Sequence, residues 1–267
     1  MSKQNVSGLY DQLSSMEHLI KSASTYPIHK RLNFASEPSN DIYEWIVNVI
    51  GLPNQGLIID AGCGTGWGCQ FISKHSKAAI LGVSLSEQEI ELADKALKTN
   101  ENTLKNIHFK QQSFDELATD SADLIIAVES IKHSQDIRLS IENMLAALRP
   151  NGKLIIVDDF YCEQTFSQDA TQYMQDWHLY EMLSVQHIQA LKNSLIPIKI
   201  PPQIFDHTFK MHIPMRAWSS MKTFVCNAIL RFRKNDLALR AFKGGFILDK
   251  LYAEQKMKYL AVVLVRQ

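Results

Sequence analysis

The chain predicts a doubly wound α/β fold: a mostly parallel sheet flanked by helices, with a helical cap. Three observations carry this. Short strand-like runs at 57–59, 78–83, 107–112, 123–128 and 153–157, all but the third predominantly apolar, alternate with amphipathic stretches of helical length. The first run opens into a turn crowded with Gly62, Gly64, Gly66 and Gly68, and a helix start follows. Asp60, Ser84, Ser113, Glu129 and Asp158 all stand at predicted carboxyl ends of strands, the edge where ligands lie in sheets of this kind.

Each element has its own warrant. Residues 5–22 place Val6, Leu9, Leu13, Met16, Leu19 and Ile20 on one helical stripe, read as a core-packed helix or as a lid with Tyr26-Pro27-Ile28-His29 beyond it. Residues 41–50 form a helix on Ile42, Trp45, Ile46 and Val49, stopped by Gly51 and Pro53. After the glycine turn, 78–83 is the second strand and 86–98 a helix, with Ser86 and Glu89 at capping-box spacing. The third strand ends in Ser113-Phe114, and the fourth runs into Glu129-Ser130-Ile131-Lys132-His133. A helix over 140–148 leads to Arg149-Pro150-Asn151-Gly152, a turn by composition, and the fifth strand ends in Asp158-Asp159. That acidic pair reads either as a solvated turn or as a contact to a second substrate.

Beyond residue 160 the aromatics Phe160, Tyr161, Phe166, Tyr173, Trp177 and Tyr180 cluster, as core or as the roof of an apolar pocket. A helix at 184–195 follows, then an irregular strand within 197–209, broken at Pro201-Pro202. Residues 216–234 are a basic helix bearing Trp218, Phe224 and Phe232. It reads either as a solvated face with snorkelling arginines or as a surface touching lipid or an anionic substrate.

Composition narrows the function classes. The 267 residues hold Lys plus Arg and Asp plus Glu in equal numbers, 28 each, so no global field gathers nucleic acid. No apolar run has membrane-span length and the N-terminus has no signal-peptide core, so the expectation is a cytoplasmic protein, with peripheral membrane contact left open. Cys63, Cys69, Cys162 and Cys226 are scattered, which suggests neither a metal site nor a disulfide framework.

The glycine turn is the most specific feature. Glycines at this density permit positive φ and let a ligand lie against the main chain, while a helix start offers free N–H groups to an anion. The dinucleotide pattern G-x-G-x-x-G fails in both registers, meeting Trp67 when counted from Gly62 and Cys69 when counted from Gly64. No Walker Gly-Lys-Ser/Thr ending is present. The pattern that fits, Asp60-x-Gly62-x-Gly64-x-Gly66 behind an apolar strand, resembles motif I of the class I S-adenosylmethionine (SAM) methyltransferases. Gly82-Val83-Ser84-Leu85-Ser86 and Glu129-Ser130-Ile131-Lys132-His133 are similar to stretches of the branch acting on tocopherols, sterols and fatty acyl chains. The turn at 149–152 and Gly244-Gly245 with the last apolar strand are also similar to that branch.

The resemblance implies a seven-stranded Rossmann-like methyltransferase sheet. It divides the chain into a lid segment at 1–40, a SAM core at 41–160, and an acceptor cap at 161–267 that carries the last two strands. By the same resemblance Asp60, Gly62, Gly64 and Gly66 hold the methionine part of SAM, and Trp67 covers the cofactor. Ser84 and Leu85 lie beside the ribose, with Glu89 at the position of the usual ribose contact, while Ser113 and Phe114 edge the adenine. His133 is the first candidate for a base, and Glu129 for orienting the cofactor or a cationic acceptor. The function implied is methyl transfer to a small, apolar natural product or lipid-like acceptor at carbon, oxygen or nitrogen. Two alternatives stand beside it: an enzyme that uses SAM without donating its methyl, and a catalytically silent SAM- or partner-binding domain. Oligomeric state is not readable.

Overall fold

In the computed structural model, residues 41–99, 106–194, 196–199, 201–234 and 236–267, with Gly8 and Asp11, are described. The proposed helix over 5–22, the lid and residues 26–29 otherwise lie outside the described residues.

Strands β1 (Leu57–Ala61), β2 (Ala79–Ser84), β3 (Ile107–Gln111), β4 (Ala122–Val128), β5 (Leu148–Tyr161), β6 (Gln203–Asp206) and β7 (Met257–Val265) form one sheet in the order β3-β2-β1-β4-β5-β7-β6. Pairings from β3 through β5 are parallel, and β7 runs antiparallel to both β5 and β6. The sheet thus has seven strands and is mostly parallel. The order reverses between β1 and β4, and the crevice outside the carboxyl ends of those two strands is where a ligand site forms in such a sheet.

Strand pleating explains why the apolar runs are continuous. Ile58, Leu124, Ile126, Ile155 and Val157 face one buried cluster; Ile59, Ile125, Ala127, Leu154 and Ile156 face the other. The first cluster is closed by α1 (Ile42–Trp45), α2 (Trp67–Ser73), α5 (Gln168–Asp176) and α8 (Leu237–Ala253); helix α3 (Glu87–Thr99) lends it Ile90 and Leu97. The second is closed by α4 (Ile137–Ala147) and α6 (Val185–Ala190). Helix α7 (Arg216–Leu230) packs beside α8.

Three elements depart from expectation. The helix over 41–50 begins as α1, capped by the Asp41 carboxylate on the Tyr43 N–H, then widens into a π-helical turn over Ile46–Ile50. There the Gly51 N–H reaches back five residues to the Ile46 carbonyl at 3.0 Å. The wider turn breaks the 3.6-residue stripe and leaves Val49 exposed. Next, residues 149–152 are a bulge inside β5 rather than a turn before it. Leu148 pairs with Ala122, but Lys153 already pairs with Leu124, and Asn151 takes φ 66° in the gap. Finally, β5 does not end at Asp158. It runs on to Tyr161 because β7 is long enough to pair with it throughout.

Candidate functional site

The glycine turn leaves β1 directly above the switch point. The N–H groups of Gly62 and Cys63 both donate to the Val83 carbonyl, at 2.8 and 3.0 Å, which ties the turn to the end of β2. Gly62, Gly64 and Gly66 have φ of 89°, 52° and 80°. A Cβ at Gly66 would sit 2.5 Å from Phe109 Cζ, so both conformation and space require glycine there. Across the crevice, Ser130 Oγ donates to the Ala61 carbonyl at 2.6 Å, joining the ends of β1 and β4.

Asp60 lies under this turn, fully buried. Tyr43 Oη donates to its two carboxylate oxygens at 3.0 and 3.2 Å, and Cys69 Sγ approaches one of them at 3.4 Å. Burial, then the neighbouring Asp60 charge, raises the Tyr43 phenol well above its ordinary pKa, so it stays protonated and donating. Gly68 admits the Tyr43 ring, since a Cβ there would fall 2.4 Å from Cζ. Trp67 stacks on Phe71 at 5.4 Å and meets Tyr43 edge-on at 6.0 Å, against α1 and along α2.

At the end of β2, Ser84 Oγ donates to Glu89 Oε2 at 2.6 Å and accepts from the Ser86 N–H at 3.1 Å. Ser86 Oγ caps α3 by accepting from the Glu89 N–H at 3.1 Å, while the buried Glu89 carboxylate turns toward the strand end. Ser86 Oγ also donates to Asp11 Oδ1 at 2.5 Å, so one residue of the N-terminal stretch touches this corner. The Leu85 carbonyl accepts from Gln111 Nε2 at 3.2 Å. Ser113 caps the 3₁₀ turn Phe114–Glu116, and Phe114 is partly buried against the second core cluster.

Glu129, at the end of β4, holds φ 52°, an uncommon backbone for a residue with a side chain. Its carboxylate accepts from Tyr259 Oη at 2.9 Å and lies 3.8 Å from Lys132 Nζ. Lys132 is the centre of a buried cluster: its Nζ is 3.2 Å from Asp158 and 3.1 Å from Asp159. Tyr173 and Tyr252 both donate to Asp159. The solvated-turn reading of Asp158-Asp159 is therefore corrected: both acids are buried within β5, because Lys132 and the tyrosines satisfy them there. Burial depresses the Lys132 ammonium, but the attraction of Asp158 and Asp159 outweighs it and holds its pKa well above the usual value. Burial pushes Asp158 up to about 6 against the pull of Lys132.

His133 is half-buried, 6.3 Å from the Trp177 ring centre. Burial, then Lys132 and His178, lowers its pKa, so the imidazole is neutral at pH 7. The geometry thus brings Asp60, Gly62, Gly64, Gly66, Ser84, Leu85 and Glu89 together around the turn, with Glu129 and His133 across the switch point. Trp67 and Phe114 are partly buried against the first and second core clusters, and Ser113 caps the turn beside Phe114. Sequence reasoning gave no role to Tyr43, Tyr259 and Asp11, and quoted Ser130 only as part of a motif. Lys132 appeared only inside a motif, as a spacer. Among the described residues no cluster of His, Cys, Asp and Glu suits a metal ion.

Comparison with known proteins agrees with this geometry. A family model described as a methyltransferase domain matches residues 54–213. An O-methyltransferase of Pyrenophora dematioidea is 31% identical over 140 residues, 52% of this chain and 51% of that protein. Methyltransferase GfsG of Streptomyces halstedii is 30% identical over 103 residues, 38% of this chain and 37% of that protein. The matched stretch spans about half the length, or less, of these curated relatives. Among solved structures, the [4+2]-cyclase SpnF superposes with TM-score 0.74 at 16% identity, covering 99% of this chain and 96% of that one. A geranyl diphosphate C-methyltransferase from Streptomyces coelicolor A3(2) gives TM-score 0.72 at 11% identity, with 99% and 97% covered. At such identities the two structures share the fold. The family match covers more than half of the sequence and includes the whole glycine turn, and the chain belongs to the methyltransferase domain family, whose cofactor is S-adenosyl-L-methionine.

Proposed function

We propose that this chain binds SAM at the glycine turn and transfers its methyl group to a small, apolar acceptor held beyond the ends of β4 and β5. The observation that carries the reading is the placement of the turn. Three positive-φ glycines stand at the β1/β4 switch point, with the buried Glu89 carboxylate one strand away. The residues fit the cofactor. Glu89 and Ser84 offer acceptors for ribose hydroxyls, and the glycines leave the main chain open to close approach. Asp60 acts beneath the turn, holding it through Tyr43 and Cys69.

When bound, SAM supplies an electrophilic sulfonium methyl, so the protein's main tasks are alignment and exclusion of water. Glu129, held by Tyr259 and Lys132 at the end of β4, would orient the cofactor amino group or a cationic acceptor. His133, neutral at physiological pH, accepts the acceptor's proton where the acceptor is a hydroxyl, amine or activated carbon. We infer that residues 41–160 supply the cofactor side and 161–267 the acceptor side. An apolar acceptor is supported by Trp177, whose ring centre lies 6.3 Å from that of His133, whereas Phe160, Tyr161 and Tyr173 of the aromatic run are core.

The fold is shared with a protein named as a [4+2]-cyclase, so methyl transfer rests on the turn and the sequence relatives rather than on topology. Two measurements test it. SAM should raise the melting temperature where NAD and ATP do not, and label from the methyl group should pass to an apolar extract fraction. SAM binding without label transfer would favour the non-methylating alternative. No shift with SAM, or an Asp60→Ala variant that binds SAM undiminished, would overturn the reading. His133→Gln should lower turnover by roughly 10²–10⁴-fold; unchanged turnover would exclude His133 as the base.

A further inference from the structure

We propose that the outward face of α7 and the turn after it dock this protein on an anionic lipid surface. Helix α7 buries only Ser219 and Cys226. Its opposite side carries Trp218, Met221, Val225, Ile229 and Phe232, spaced three or four residues apart, with Phe224 beside them. This stripe is open to solvent: Trp218 is 53% exposed, Phe224 74% and Phe232 91%. A run of large apolar side chains this exposed marks an interaction surface rather than a solvated face.

Charge identifies the occupant. Residues 215–235 contain five Arg or Lys and no Asp or Glu, in a chain whose net charge is zero. Arg216 and Arg233 pair with Glu254 and Asp236 at 2.7 and 3.5 Å. Arg231, the C-cap of α7, and Lys234 in the exposed turn after it flank Phe232, while Lys222 on the helix lies 5.1 Å over the Phe246 ring. Aromatic and aliphatic residues along one line with a basic rim form the pattern of a helix lying in a headgroup layer. A second copy of the chain is the weaker fit, because a two-fold interface sets the same basic rim against itself. No helix among the described residues is long and apolar enough to cross a membrane, so the contact is peripheral. The inference does not depend on methyl transfer.

The test is co-sedimentation of the full chain with phosphatidylcholine vesicles, with and without phosphatidylglycerol. Binding should be at least roughly tenfold tighter to the anionic vesicles and should weaken with salt. Phe224→Glu with Phe232→Glu should reduce it by at least roughly tenfold at unchanged melting temperature. Arg231→Glu with Lys234→Glu should abolish the preference for anionic lipid. Phe232→Ser, at the most exposed of these positions, gives a milder check should the double variant fail to fold. Equal affinity for both vesicle types, no binding, or variants that bind like the parent would each overturn the proposal. So would a dimer, dissociated by the phenylalanine substitutions, in a protein that ignores vesicles.

Discussion

Lys132 sets the local energetics at the ends of β4 and β5. One ammonium faces Asp158, Asp159 and Glu129 where water is largely absent, and three tyrosines donate to two of those acids. Removing the cation leaves its carboxylates uncompensated. Lys132→Met should therefore cost about 3–5 kcal/mol, read as a lower urea midpoint. Adding Asp158→Asn should recover part of the loss, because it removes one of the stranded charges. A single variant within about 0.5 kcal/mol of the parent, the scale of an ordinary surface change, would show that the cluster is hydrated and contributes little. None of this was legible in the sequence. Asp158-Asp159 looked like a turn because charge usually marks solvent, and their partners lie 14 to 93 positions away in the chain. Asp60 and the glycines were legible, since their signal is local: a strand, a turn and a helix start within fifteen residues.

Among the elements, the glycine turn combines backbone strain and packing at one position. Gly66 has φ 80°, and a Cβ there would press on the Phe109 ring. Gly66→Ala should destabilise by about 1–2 kcal/mol from the backbone alone, with the clash added. Pairing it with Phe109→Leu should relieve the ring part of the clash, leaving the Ala93 Cβ at 2.9 Å and the backbone cost. Calorimetry with SAM separates the terms: binding should stay impaired in the double variant. Restored affinity would mean that the turn tolerates an alanine and that its glycines serve packing alone. Strand and helix positions were largely predictable because apolar periodicity is a property of adjacent residues. The failures lie where a neighbour decides. The length of β7 carries β5 past its acids, the bulge at 149–152 absorbs a turn-forming tetrapeptide, and a π-helical turn rotates Val49 outward.

Over the whole molecule, two buried groups make opposite contributions to stability against pH. His207 lies against Trp45 with ring centres 4.6 Å apart, and burial, then Lys210, lowers its pKa from 6.5 to about 4. The unfolded chain takes up that proton first, so this stabilisation is complete above about pH 6.5 and is lost as pH falls toward 4. Asp158 is raised from 3.8 to about 6, so the folded state takes up its proton first. Its contribution is present below about pH 4 and is lost as pH rises through 6. The two contributions span nearly the same window with opposite sign. The parent profile sums both with the other titrating groups, among them His133, whose pKa burial lowers to about 3. Single variants expose them. Relative to the parent, His207→Phe should gain stability as pH falls through this window, while Asp158→Asn should lose it. Carboxylates remote from the substituted side chain cancel in the differences, and for Asp158→Asn the measured change belongs to the Lys132 cluster as a whole. Urea midpoints across the window provide the measurement. Differences that stay constant with pH would mean that neither group is held away from water, and that the Lys132 cluster and the Trp45–His207 contact are open to solvent.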